Sequence, residues 1–310
     1  MRSVDDVASI FTFANQQVEF VVDGLFPVGT VCALTGGSGD GKTTAAIAIG
    51  SAIERGVPFA GMATQRRPVL FLDRENPLPA IVERYERMNI RDSENCRYWG
   101  GWCPEEPPDA ASQMVAAWVL ATEPKPVIFV DSFVAFHQGD ENDAGAVRAH
   151  LQGYRRLADV GATIVILHHS GKSESTKDYR GSSDFKASLD VGYVIANIGD
   201  PLRLETVRLK AFKARFSVTP EIVLRFYGHE FISEEYTSPS QTNQEILRSI
   251  LIENPRLTTT EFEKLVAAKS VPRHKARAFL KSGIASRHID VESDGPSKFY
   301  TWLGNPESEP

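Results

Sequence analysis

Residues 36–43 read Gly36-Gly37-Ser38-Gly39-Asp40-Gly41-Lys42-Thr43, with Thr44 next, and match the pattern GxxxxGK[ST]. The apolar run Thr30–Thr35 precedes the match and the Ala-rich stretch Lys42–Arg55 follows it, so a strand leads into the loop and a helix leaves it. That context makes the loop a phosphate cradle. Glycines let successive backbone N–H groups turn inward around phosphate oxygens, and the helix N-terminus adds its positive end. Lys42 is then placed for β- and γ-phosphates, and the Thr43 hydroxyl for Mg²⁺.

On either side of this loop, short apolar runs alternate with helical stretches. Strands are expected at Thr30–Thr35, Val69–Asp73, Val127–Asp131, Thr163–His168 and Gly192–Asn197, and helices at Lys42–Arg55, Ala80–Met88, Ala110–Ala121 and Ala144–Val160. The strands have little polar interleaving, as in a parallel sheet covered on both faces, so the fold class is α/β. Gly56 and Gly161 stand where helices should end. Arg203–Ala211 and Glu221–Tyr227 read as antiparallel edge strands. The boundaries are an N-terminal arm over 1–22, the α/β domain over 23–232, a linker over 233–240, a small domain over 241–304 and a disordered tail over 305–310.

Composition narrows the class. The chain has 310 residues and a formal charge of −6, with 42% hydrophobic residues. No apolar run nears the roughly 18 residues of a membrane span, and the N-terminus lacks a secretory pattern, so a cytoplasmic protein without a membrane partner is expected. Three cysteines without a close pair (Cys32, Cys96, Cys103) argue against a disulfide framework or zinc site. Residues 241–304 carry a net charge of +3, which directs any polyanion contact toward the C-terminal end.

Further motifs sit where the other strands end. Val127–Val130 leads into Asp131-Ser132, a carboxylate suited to hold Mg²⁺, partly through water. Val69–Leu72 leads into Asp73-Arg74-Glu75-Asn76-Pro77, and one of its two acids is suited to polarise an attacking water. Ile164–Leu167 leads into His168-His169-Ser170-Gly171-Lys172. Adjacent side chains on a strand face opposite ways, so the pair is not expected to bind one metal, and one His facing the nucleotide can report the γ-phosphate.

The set GGSGDGKT, LDREN, VIFVDS, LHHSGK, YRGSSD and FKAR, in this order over about two-thirds of the chain, resembles RepA-type replicative helicases of the RecA/DnaB superfamily. The segment from Leu167 to Ser183 is its most specific part. The resemblance implies a RecA-like P-loop ATPase domain, a ring of usually six subunits, Mg²⁺ and ATP, and nucleotide sites between subunits. It places Glu75 as the water-activating carboxylate, with Asp73 second, and His169 or His168 as the sensor. It makes Lys213-Ala214-Arg215 a K-x-R element lent to a neighbour's site, against the plain reading of a solvated basic strand edge. It also implies single-stranded DNA in a ring pore along Phe133–Asp143 and Lys172–Arg180. Lys172, Lys177 and Arg180 are the candidate contacts there, and Arg180 is equally suited to the nucleotide or the RGSS turn.

After the linker, three helices (Gln241–Glu253, Thr258–Ala268, Pro272–Ser282) and two strands (Arg287–Glu292, Lys298–Leu303) form a winged helix-turn-helix pattern. In the third helix Ala276, Phe279 and Leu280 make an apolar face, and Arg273, Lys275, Arg277 and Lys281 lie mainly away from it. Such a face suits duplex DNA, and protein docking is the alternative use. Phe299, Tyr300 and Trp302 fit core packing better than base stacking. The combined expectation is a ring ATPase that unwinds or translocates DNA in replication of a plasmid, phage or integrated element. The alternative is an ATP-switched DNA-binding loader, initiator or regulator that does not unwind DNA.

Overall fold

The computed structural model describes residues 18–137, 139, 143–169, 183–200, 203–233, 239–269, 271–295 and 297–303. The chain divides into two compact units, Met1–Tyr236 and Thr237–Pro310. In chain order the first carries β1 (Phe20–Val22), β2 (Phe26–Pro27), β3 (Val31–Gly36), α1 (Lys42–Arg55), β4 (Val69–Asp73), α2 (Leu78–Arg87), β5 (Cys96–Gly100), α3 (Gln113–Ala121), β6 (Val127–Asp131), α4 (Phe133–Phe136), α5 (Ala144–Asp159), β7 (Thr163–His169), α6 (Ser183–Ser188), β8 (Val191–Asn197), β9 (Thr206–Ala214), β10 (Glu221–Tyr227) and β11 (Glu230–Ile232).

The strands β3 to β11 form one sheet in the order β11-β10-β9-β8-β3-β7-β6-β4-β5. From β8 to β5 every pairing is parallel, and β9, β10 and β11 add an antiparallel edge. Every residue of β3, β4 and β6 is buried, because alternate side chains enter two cores. Cys32, Leu34, Phe71 and Phe129 pack on the side of α1 with Ile47 and Ile53. Val31, Ala33, Leu72, Ile128 and Val130 pack on the opposite side with Val115 and Val119 of α3 and Leu151 and Tyr154 of α5. Burying one such large apolar side chain stabilises the fold by about 1.5–3 kcal/mol. Helix α1 lies close against the sheet: a Cβ on Gly50 would come within 2.7 Å of the Phe71 ring.

Three expectations are corrected. The arm expected over 1–22 does not include its last three residues, since Val21 and Val22 are fully buried and Phe20–Val22 pairs with β2, while residues 1–17 lie outside the described residues. The strand expected at Arg203–Ala211 lies at Thr206–Ala214, because the Arg203 N–H closes a turn onto the Asp200 carbonyl at 3.0 Å. The helix expected from Ala110 begins at Gln113. There the Ser112 hydroxyl caps it by accepting from Val115 N, and the Asp109 carboxylate takes the Ala111 N–H. No described helix is long and apolar enough to cross a membrane.

The second unit runs α7 (Pro239–Glu253), β12 (Leu257–Thr258), α8 (Thr259–Ala268), α9 (Arg273–Ala285), β13 (Ile289–Asp294) and β14 (Ser297–Trp302). Its sheet is antiparallel in the order β12-β14-β13. Helix α7 starts inside the span expected to be linker, and residues 234–238 and the tail 305–310 lie outside the described residues. Thr258 and Glu261 form a reciprocal capping box at the start of α8. Leu251, Phe262, Val266, Ala276, Leu280 and Tyr300 make a core of its own.

Candidate active site

The phosphate loop leaves β3 at the middle of the nine-stranded sheet and closes on the first turn of α1. Gly41 carries the left-handed turn with φ 88°, and Leu204 packs where a side chain would stand, a Cβ there lying 2.5 Å from its Cδ1. Asp40 fastens the loop: its Oδ2 accepts from Gly37 N at 2.5 Å and its Oδ1 from Asn197 N, at the end of β8, at 3.3 Å. Ser38 and Gly39 form the exposed tip, and Thr44 is buried on the inner side of α1.

Lys42 is buried, and its Nζ donates to the carbonyls of Gly36 at 3.0 Å and Gly37 at 2.7 Å. The Nδ1 of His169 lies 3.4 Å away. Burial pulls the ammonium below the usual lysine value, and the carboxylates of Asp131, Asp40 and Glu75 oppose that shift.

Register aligns the remaining groups. Gly36 pairs with His169, and Asp131 pairs with both Leu167 and Asp73, so β4 and β6 end together, two residues short of the shared end of β3 and β7. The Thr43 hydroxyl donates to Asp131 Oδ2 at 2.6 Å, and the Asn76 amide donates to the same oxygen at 3.1 Å. Burial, reinforced by the neighbouring Asp73 carboxylate, pushes the Asp131 carboxyl up to about 7 despite the Thr43 bond. A hydroxyl and a buried carboxylate converging beside a phosphate loop are hard oxygen donors, and they fit Mg²⁺.

The two acids after β4 have different surroundings. Asp73 is fully buried and accepts from Glu75 N at 2.8 Å, Asn76 N at 2.9 Å and the Tyr98 hydroxyl at 2.5 Å. A base that must meet water has no access there, so Asp73 serves as scaffold. The Glu75 side chain is 39% exposed, and its Oε1 lies 2.8 Å from His169 Nε2. Its burial acts to raise the carboxyl, but hydrogen bonds from Ser132 and His169, with the charges of His169 and Lys42, hold it below the usual range.

The histidines separate as strand alternation predicts. His169 faces Lys42 and Glu75. His168 is buried between the rings of Phe133 and Phe185, where burial pulls its imidazole down to about 4. Its Nδ1 has no hydrogen-bond partner among the described residues. Of the two, only His169 is in the cluster.

The remaining candidates lie elsewhere. Ala214 pairs with Val191 at the start of β8, so Lys213-Ala214-Arg215 stands at the opposite end of the sheet from the phosphate loop. Lys213 is half-buried opposite Gly192. Arg215 donates to Asp190 Oδ1 at 3.1 Å and to the Ala187 carbonyl at 3.0 Å. Lys172, Lys177 and Arg180 lie outside the described residues, as does most of the stretch between His137 and Asp143. On α9, Ala276 and Leu280 are buried and Phe279 half-buried, Lys275 is half-buried and Lys281 exposed. Arg273 and Arg277 are exposed, yet both lie against Glu263 of α8, with Arg277 Nε at 2.6 Å. Tyr98, Asp190 and Glu263 were not singled out by sequence reading and no local motif marks them, while Asn76 lies inside the LDREN motif but was given no role.

No curated protein matches the chain. A family model described as an AAA domain matches residues 3–175, more than half of the chain, and spans the phosphate loop, Glu75, Asp131 and His169. With a parallel-dominated sheet and this loop at its centre, the chain belongs to that AAA-domain family and carries a P-loop ATPase-like domain of the kind found in RecA/DnaB-type proteins.

Proposed function

We propose that the chain is an Mg²⁺-dependent ring ATPase, six copies in the form its motifs resemble, that unwinds or translocates DNA in replication of a plasmid, phage or integrated element. The observation carrying the hydrolytic part is the convergence of Lys42, Thr43, Asp131, Glu75 and His169 at the C-terminal ends of four adjacent parallel strands. The loop amides and Lys42 hold the β- and γ-phosphates of ATP, and Thr43 and Asp131 hold Mg²⁺, which supplies charge neutralisation on the phosphate oxygens. Ionised Glu75 orients a water in line with the γ-phosphorus. The new P–O bond forms as the bond to ADP breaks, and the water's proton passes to Glu75 or the departing phosphate. His169 touches both Glu75 and Lys42, so it can transmit loss of the γ-phosphate to the chain beyond β7.

Arg215 is too far along the sheet to serve its own phosphate loop, which supports a role in a neighbouring copy. It would first have to leave Asp190, and that carboxylate keeps Arg155 at 2.7 Å and Val31 N at 2.9 Å. The second unit supports the DNA part: its helix–strand–helix–helix–strand–strand order matches the one expected of a winged helix, and the basic α9 takes the position a recognition helix would have. Its independent core equally favours a nucleotide-switched loader, initiator or regulator. Phosphate release with and without single-stranded DNA, paired with strand displacement on a forked duplex, tests both readings. Stimulation with displacement supports the motor, stimulation without it supports the switched binder, and no response to DNA contradicts both.

A further inference from the structure

We infer that Tyr98 is a positioning residue for hydrolysis: through Asp73 it fixes the turn that presents Glu75 to the nucleotide. This rests on the reading of Glu75 as the carboxylate that orients water.

The geometry runs in one line. Tyr98 stands on the edge strand β5, paired with Phe71 of β4, and its hydroxyl donates to Asp73 Oδ2 at 2.5 Å. The ring is clamped by stacking on Phe71 at 5.0 Å and on Trp102 at 5.5 Å, and by the edge of Tyr85 at 6.1 Å. The other Asp73 oxygen, Oδ1, accepts from the backbone N–H groups of Glu75 and Asn76. Both carboxylate oxygens are therefore engaged, one by an anchored phenol and the other by the backbone of the turn. Asn76 ties the turn in a second direction, its amide reaching Asp73 Oδ2 and Asp131 Oδ2 at 3.1 Å each.

Without the phenol hydroxyl, Asp73 Oδ2 is left with the longer 3.1 Å bond from the Asn76 amide, and the carboxylate is held less firmly about its terminal bond. The two backbone N–H groups then lose alignment, and Glu75 with them. Among the described residues no hydrogen bond joins Tyr98 or Asp73 to the phosphate loop itself, so the effect should fall on the rate more than on binding. Catalysis is sensitive to such displacement, because a water misplaced by an ångström costs a large share of the rate.

The test is Tyr98→Phe, which keeps the stacked ring and removes one oxygen, measured beside Glu75→Gln and Asp73→Asn in the full chain. Loss of a hydrogen bond to a charged group predicts a kcat lower by about 10- to 100-fold in Tyr98→Phe. The affinity for a fluorescent ATP analogue should stay within about 2-fold, since uniform binding is untouched. Because Tyr98 acts through Asp73, the Tyr98→Phe/Asp73→Asn double variant should be no slower than Asp73→Asn alone. If Glu75→Gln hydrolyses at the parental rate, the role of Glu75 fails and this inference with it. If Glu75→Gln is inactive while Tyr98→Phe keeps full kcat, only the positioning role is overturned. Additive losses in the double variant, or a fall in nucleotide affinity matching the fall in kcat, overturn it as well.

Discussion

Glu75→Gln isolates charge from shape at the centre of the site. The Gln amide occupies the same volume, retains a polar contact with His169 at the 2.8 Å position and sits in a side-chain environment already 39% exposed. It leaves no cavity and no buried unpaired charge, so the fold should lose no more than about 0.5 kcal/mol, as for an ordinary surface change. The rate should respond very differently. A positioned carboxylate contributes about 10²–10⁴-fold, which is about 2.7–5.4 kcal/mol of barrier. Affinity for ATP should hold or tighten, because a negative charge beside Lys42 and the phosphates is removed. The assay pairs phosphate release at saturating Mg²⁺ and ATP with analogue binding and a melting curve. A rate within about 3-fold of the parent, far below the general-base contribution, would refute the reasoning. Asp73 is fully buried and its oxygens are taken, so it could not assume the role.

Other substitutions separate the remaining parts. Arg215→Ala should lower kcat with nucleotide affinity nearly intact, and mixing it with Lys42→Ala protein should restore activity; no restoration in the mixture counts against a shared site. His169→Ala should slow hydrolysis while His168→Leu is tolerated, since His168 lies among aromatic rings and its Nδ1 has no partner among the described residues; equal losses in phosphate release contradict that division. Asp131, at about 7, is protonated at lower pH and cannot then hold Mg²⁺, so the Mg²⁺ required for half-maximal ATP binding should rise as pH falls below about 7. The same carboxyl sits above its unfolded value of about 3.9, so its ionisation weakens the metal-free fold as pH rises from there through about 7. Asp131→Asn should then raise the melting temperature at pH 8 in chelator. Glu263→Gln should release Arg273 and Arg277, tighten DNA binding by the second unit and steepen its salt slope by up to about 2; an unchanged slope argues against DNA on α9.

The parts of this molecule legible in the sequence are those fixed by local chemistry or by unbroken apolar character. β4 and β6 lie where their runs predicted because every side chain enters a core, and α1 spans Lys42–Arg55 as expected because the loop sets its start and Gly56 its end. β5 escaped notice: Arg97 interrupts it, and an edge strand need not be apolar on both faces. The β1–β2 pair is only a few residues long and its burial comes from the rest of the fold. The site divides similarly. Lys42, Thr43 and Asp131 follow from a motif and a strand end, and alternation allows only one His of the pair to face the loop, while the register that makes it His169 is set by pairing with β3. That Asp73 is a scaffold, that Tyr98 holds it, that Asp190 engages Arg215 and that Glu263 offsets two arginines all depend on pairings between distant segments.

Release of inorganic phosphate from Mg²⁺ and ATP by the purified chain, run beside its Lys42→Ala variant, addresses the account most directly. The arrangement of loop, lysine and carboxylates predicts steady turnover that the variant abolishes. Turnover undiminished in the variant, or none in the parent chain with Mg²⁺, ATP and single-stranded DNA supplied together, would contradict it.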